Sequence, residues 1–361
     1  MPADANGIEA PDHNPTEIIQ DLSTAVLDGR YLWLGSDEYT HIERLTRLDS
    51  GGFGNHCRYD LSEIFKLPEG ASQEIDIEGL DVVDNYIWIV GSHSTKRIKP
   101  EPGEDSAQDI IKKLAKVKIE RNRYLLARAP LTPARSKSGP EPASRLSKKS
   151  NGKDKTFKAA ALDLGSKTSP LVSLLAKDKH LRKFVGIPSK ENGLDIEGLA
   201  VSSDRVWLGL RGPVLRGWAV VIELHLKVEK SGKLKLGNLP GSKDRYRKHF
   251  LDLGGLGIRS LTRDGNDLLV LAGPTMALDG PSAIHRWPNA LATEGCQVLT
   301  EAELPVLLRL PYGKDIDHAE GTALLKDGKG KPDLMVVYDS PAPSRIKEKG
   351  LSVDADLFAL V

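Results

Sequence analysis

Asp76-Ile77-Glu78-Gly79-Leu80 is followed by Trp88, eleven residues after Ile77, and Asp195-Ile196-Glu197-Gly198-Leu199 by Trp207, eleven residues after Ile196. Weaker copies keep the same beat. Leu22 precedes Trp33 and Ile258 precedes Leu269 by the same distance, and His318-Ala319-Glu320-Gly321 precedes the apolar run 334–337 after a longer turn. A phrase that recurs along a chain restricts it to repeat architectures, because each copy must build the same supersecondary unit.

The third copy shows what that unit is. Residues 196–201 and 205–210 are short apolar runs separated by Ser202-Ser203-Asp204, which is turn chemistry between two strands. Gly212 and Pro213 open a loop, residues 218–226 have the β-branched content of a third strand, and 248–253 read as a fourth. Four consecutive antiparallel strands, repeated, make a propeller blade. The first copy places strands at 23–27, 31–35, 41–48 and 57–61, and the fourth at 258–262, 267–272, 282–287 and 304–310. The last copy gives 320–325, 333–338 and 356–361; its missing strand is assigned to the N-terminal residues before Asp21, which closes the ring.

Copies begin at Leu22, Ile77, Ile196, Ile258 and Ala319, so successive gaps are 55, 119, 62 and 61 residues. The wide gap is where a sixth blade would sit. Its contents assign otherwise: 124–131 and 158–164 supply the third and fourth strands of blade two, and the remainder is two helix-like insertions and a linker. The expected fold is therefore all-β, one propeller domain over residues 1–361 with five blades (six being the rival) and two short helical insertions. Residues 104–119 place Ala107, Ile110, Ile111 and Leu114 on one helical face, with Asp105 and Ser106 as caps. The second insertion starts with Ser169 and Pro170 and carries Leu171, Leu174, Leu175, Leu181 and Phe184 at helical spacing, predicting a helix over 170–185. Between them, residues 133–156 hold seven basic and two acidic residues and no aromatic side chain. That composition predicts a disordered basic loop, and without aromatic rings for base stacking it argues against a nucleic-acid partner.

A net charge of +1 supplies no overall field toward nucleic acid or acidic membranes. Cys57 and Cys296 are too few for a disulfide scaffold. Residues 1–14 lack the basic start and apolar stretch of a secretory signal, and no run of membrane-spanning length is present. The expectation is a cytoplasmic protein with no membrane partner.

In a propeller, the start of each inner strand and the end of each second strand converge on one mouth of the central channel. The column at the start of the inner strand reads Ser23, Glu78, Glu197, Arg259 and Glu320. Two residues earlier, on the same side of an extended chain, it reads Asp21, Asp76, Asp195, Gly257 and His318. At the end of the second strand it reads Asp37, Ser92 with His93, Arg211, Gly273 and Asp339. Gathered carboxylates raise one another's pKa or recruit a cation. Glu78, Glu197, His318 and Glu320 are thus candidate ligands of a divalent metal, calcium or magnesium. Asp37, His93, Arg211 and Asp339, which break the repeat, are the candidate catalytic residues. The opposing view is that each Asp-x-Glu fixes its own blade by accepting backbone hydrogen bonds. Trp33, Trp88 and Trp207 read as blade packing. Gly254-Gly255-Leu256-Gly257 has no following helix, so it is not a dinucleotide fingerprint.

The stretch from Pro188 to Ala200 (PSKENGLDIEGLA), with Val206-Trp207-Leu208-Gly209-Leu210-Arg211-Gly212-Pro213, resembles the signature of a bacterial family catalogued as domain of unknown function 3616. The resemblance runs from about Asp21 through most of the chain and implies the propeller fold without a reaction. More remotely, Asp-x-Glu-Gly before an aromatic-rich strand is similar to the phytase-like esterase and lactonase propellers, which use metal and carboxylates at the channel mouth. Blades one and four lack the glutamate, so no ligand set carries over. Two functions follow as expectations: metal-assisted hydrolysis of an ester or phosphoester, with a small-molecule or phosphorylated ligand, or a binding or scaffold propeller without catalysis.

Overall fold

The computed structural model describes residues 18–133, 139–150, 153–164, 168–229, 232–326 and 332–360. Five antiparallel sheets follow one another along the chain, and their first strands touch in a closed ring. Blade one is Leu22–Asp28, Tyr31–Ser36, His41–Arg47 and Phe53–Asp60. Blade two is Ile77–Val83, Tyr86–Gly91, Leu126–Pro130 and the short Ala160–Ala161. Blade three is Asp195–Ser202, Arg205–Gly212, Trp218–Val228 and Tyr246–Asp252, widened by Val298–Leu299, which pairs parallel to its outer strand. Blade four is Gly257–Asp264, Asp267–Gly273, Ser282–Trp287 and Val306–Leu310. Blade five shows His318–Leu325, Asp333–Asp339 and Asp356–Ala359. The fourth strand was expected from residues before Asp21; residues 1–17 lie outside the described residues, and 18–20 form a turn and not a strand. Asp21 bridges Asp339, and the Ser340 amide donates to Gln20 O at 2.7 Å, so the start of the propeller is fastened to its last blade.

Every first strand carries an irregularity at the same place. The pairing register skips Ser23, Glu78, Glu197, Arg259 and Glu320. A bulged residue leaves the ladder and bends its strand. The five strands therefore curl around the axis, and the released side chains face the channel mouth. The glycine that follows meets the first strand of the next blade. A Cβ on Gly79 would lie 2.5 Å from Leu199 Cβ, one on Gly198 2.8 Å from Leu261 Cγ, and one on Gly321 2.9 Å from Thr24 and Ala25 backbone. The recurring Glu-Gly is a steric condition for bringing these strands together.

Five apolar clusters form, one at each blade interface. Trp33, Trp88 and Trp207 are buried in three of them, and each has a guanidinium over its ring: Arg44 at 6.0 Å, Arg128 at 5.3 Å and Arg205 at 4.6 Å. The tryptophans are packing residues, as their place in second strands suggested. Among the described residues, no helix is long and apolar enough to cross a membrane.

The insertions depart from expectation in detail. Helix α1, Ala107–Leu114, is capped by the Ser106 side chain, which accepts from the Asp109 amide, and rides on the hairpin Thr95–Arg97 with Val117–Ile119. Its apolar side is not buried, with Ile111 69% and Leu114 47% exposed. Helix α2 spans only Pro170–Leu175. Beyond it, the Asp178 carboxylate accepts the amides of His180 and Leu181, competing with a helical ladder, while Leu181 still packs between blades two and three.

The segment 133–156 is not a disordered loop where it is described. Gly139 and Pro140 lie against blade one, where the buried Arg44 guanidinium donates to Pro140 O. Arg145–Ser150 and Lys153–Lys158 pair as a hairpin. Phe157, just past the window whose composition suggested disorder, stands 6.2 Å from the Tyr86 ring, with Lys148 and Lys155 over its own ring. Residues 134–138 and 151–152 lie outside the described set.

Gly321→Ala should cost roughly 1–3 kcal/mol in urea unfolding, because the added methyl meets backbone. Gly186→Ala, where a Cβ finds open space, should stay within about 0.5 kcal/mol of wild type. Equal effects at the two positions would remove the steric explanation of the repeat.

Candidate functional site

The three sequence columns converge on a cavity of about 880 Å³ at one end of the channel. Seven candidate residues line it: Asp37, Glu78, Glu197, Arg211, His318, Glu320 and Asp339. His93 does not. Its left-handed backbone, φ 55°, is followed by a ring that hydrogen-bonds Gly91 O through Nδ1 at 2.9 Å and stands 5.8 Å from the Tyr124 ring. It is 1% exposed, and burial pushes its pKa down to about 4. A neutral imidazole behind the cavity wall is not in place to reach a ligand at the mouth.

On blades three, four and five the charges are paired. Arg211 binds Asp195 and, at 2.7 Å, Glu197. Arg259 faces Glu197 Oε2 at 3.1 Å and pairs with Glu320 through its other end. Glu197 Oε2 has no aligned hydrogen bond among the described residues, so that contact with Arg259 is electrostatic rather than directional. The Asp195 pKa rises to about 7, because burial and the neighbouring Glu197 outweigh Arg211. Arg259 stands in the glutamate column yet supplies the opposite charge. That substitution was its visible signal. Arg123 was not visible in the repeat: the short 3-10 turn Arg121–Tyr124 delivers it to Asp76 at 2.6 Å, and it also meets Glu74 and Glu120.

On blades one and two this compensation stops at Asp76. Glu78 is 9% exposed and makes no hydrogen bond or ion pair among the described residues. Burial, then the charges of Glu197, Asp76, Asp195 and Asp37, hold its pKa well above the usual carboxyl range. Asp37 Oδ1 is buried without a hydrogen-bond partner among the described residues, and burial together with Asp76, Asp339, Glu38 and Asp21 raises that carboxyl strongly as well. Asp339 goes the other way. Burial opposes ionisation, but the nearby His318 imidazole, 3.8 Å away, and a hydrogen bond from Ser340 prevail and lower its pKa. His318 is raised, first by Asp339 and, against burial, by Asp279.

The expected metal ligands do not form a ligand set. Glu197 and Glu320 are engaged by Arg259, and His318 lies between Asp279 at 3.1 Å and Asp339 at 3.8 Å. No three His, Cys, Asp or Glu side chains among the described residues are grouped to hold a metal ion. The donor set does not fit calcium or magnesium, which require several converging oxygens.

A family model described as a protein of unknown function (DUF3616) matches residues 21–356. The chain belongs to this family. No curated protein matches it. Solved structures that it resembles include an exo-1,5-alpha-L-arabinanase from a bovine ruminal metagenomic library, at 10% identity and TM-score 0.39, covering 93% of this chain and 91% of that one. The major allergen of Malassezia sympodialis is similar at 10% identity and TM-score 0.39, covering 95% of each chain. A periplasmic gluconolactonase of Pseudomonas aeruginosa is similar at 12% identity and TM-score 0.33, covering 94% of this chain and 88% of that one. Likenesses of this size carry no argument about activity.

Arg211→Lys should destabilise the protein by at least about 1 kcal/mol in denaturant unfolding, because an ammonium cannot serve Asp195 and Glu197 as a fork does. An unchanged midpoint would mean that the network does not hold the fold. Glu78 and Asp37 have folded pKa values above their ordinary 4.5 and 3.8. The stability that depends on their protonation is complete below those ordinary values and is lost as pH rises through the raised ones. Glu78→Gln should therefore flatten the fall in unfolding free energy as pH rises above the ordinary 4.5. Parallel curves for variant and wild type would show that Glu78 titrates normally.

Proposed function

We propose that the mouth is a metal-independent acid–base hydrolase site acting on the ester bond of a small molecule. One arrangement carries the reading: of two carboxyls lining the cavity, Asp37 has Oδ1 buried without a hydrogen-bond partner among the described residues, while Asp339 lies beside His318 and accepts from Ser340, so the two are pushed apart in pKa, one up and one down. Opposed environments of this kind divide acid from base. Asp339, ionised and oriented by His318, takes a proton from water. The water oxygen adds to the acyl carbon, the bond to the alkoxy oxygen breaks, and Asp37 gives its proton to that leaving oxygen. Exchange with solvent then restores both groups. The arginines at the mouth are engaged by carboxylates and are not free to receive a phosphate dianion, which favours an ester over a phosphoester.

Asp37→Asn and Asp339→Asn should each lower kcat on a responsive carboxylic ester by roughly 10²-fold or more while leaving the protein folded. The rate should fall as pH rises through the raised Asp37 value, and again toward acid as Asp339 protonates below its ordinary 3.8. A panel of carboxylic esters and lactones, followed by pH titration of the released acid, checks this. Ligand binding without turnover, or turnover that survives both substitutions, would leave the binding propeller as the better description.

A further inference from the structure

Glu78 stands apart from the other residues of the inner ring. Glu197 and Glu320 share Arg259, and Ser23 is neutral and donates to Ile77 O. Glu78 lines the same mouth, nine-tenths buried and without a partner among the described residues. The imbalance extends beyond it, since the described lining holds thirteen carboxylates against eight lysines and arginines. A buried charge is stable only when paired. Among the described residues no cation pairs with Glu78, so its buried carboxyl can ionise favourably only when a cation arrives from outside.

We infer that the ligand of this mouth carries a single organic ammonium group and that Glu78 receives it. A divalent metal would need several oxygens at once. The carboxylates nearest in charge to Glu78 are committed: Asp195 and Glu197 to Arg211, and Asp76 to Arg123. Asp37, also without a partner among the described residues, stays protonated as the acid of the hydrolysis, so Glu78 is the carboxyl left to match one positive nitrogen. As the ammonium arrives, Glu78 gives up its proton to solvent, and the resulting ion pair is as neutral as the carboxyl it replaces. The groups facing Glu78, namely Glu197, Asp76, Asp195 and Asp37 with Arg211 and Arg259, then see no net change, and Asp37 keeps its proton. Met276, Leu278 and Tyr312, 45%, 64% and 54% exposed, line the same mouth and offer apolar surface to the body of such a ligand. The substrate class is thereby narrowed to small amine-bearing esters. This step rests on the mouth being the ligand site and deepens the hydrolase reading.

The test is calorimetric titration of the full chain with n-butylammonium chloride, set against 1-butanol, sodium butyrate, CaCl2 and MgCl2. Butylammonium should bind wild type, raise its melting temperature and release a proton, seen as a heat that varies with the ionisation enthalpy of the buffer. Glu78→Gln, checked for folding by its melting curve, should weaken binding by tenfold or more. Equal binding of 1-butanol, undiminished affinity in Glu78→Gln, or no butylammonium shift in wild type would each overturn the inference. So would calcium or magnesium binding that depends on Glu78 while butylammonium fails to bind. Hydrolysis of uncharged esters is measured separately. Its absence with butylammonium binding intact would remove the acid–base mechanism and leave the ammonium site, and the converse would do the reverse.

Discussion

Closure of the ring depends on one backbone device, a bulge followed by a residue small enough to pass the next blade. Five first strands must come together around a narrow axis, and a regular pleated strand does not turn sharply enough to do so. Releasing one residue from each ladder supplies the bend. The following glycine, at Gly79, Gly198 and Gly321, lets the neighbouring strand approach where a Cβ would collide. The same device points Ser23, Glu78, Glu197, Arg259 and Glu320 at the mouth. Architecture and site chemistry thus arise from one local feature, and polar side chains are carried inward as a by-product of closure.

Burying so many ionisable groups is costly unless they neutralise one another. On blades three, four and five the chain does this with Arg211 and Arg259, each shared between two carboxylates. On blades one and two it does not: Arg123 satisfies Asp76, while Glu78 and Asp37 Oδ1 are left without partners among the described residues. The mouth is therefore divided into a compensated half and an acidic half. Departures from local satisfaction tend to mark functional positions, and this one lies on the wall of the cavity at the mouth.

Much of the fold was legible in the primary structure because its periodicity is a direct record of strand, turn and strand. Blade number, strand order and the three column positions at the mouth were readable from the spacing of Ile77, Trp88, Ile196 and Trp207. Legibility failed wherever a residue acts outside the repeat. His93 shares a column with Ser92, and only its left-handed backbone shows that the ring leaves the mouth. Arg123 comes from a turn with no counterpart in other blades. Composition over 133–156 suggested disorder because the ring that anchors the hairpin, Phe157, lies just beyond that window.

The sequence by itself determined that Ser23, Glu78, Glu197, Arg259 and Glu320 would stand at the mouth, because register in a propeller follows from strand period. Tertiary structure alone decided which of them are neutralised. Glu78, Glu197 and Glu320 are the same residue in the same motif, yet Arg259 reaches two of them and not the third. That difference depends on where a guanidinium from one blade ends relative to carboxylates on two others. Electrostatic pairing is a matter of distances of a few ångströms across the ring, and no spacing along a single chain encodes them.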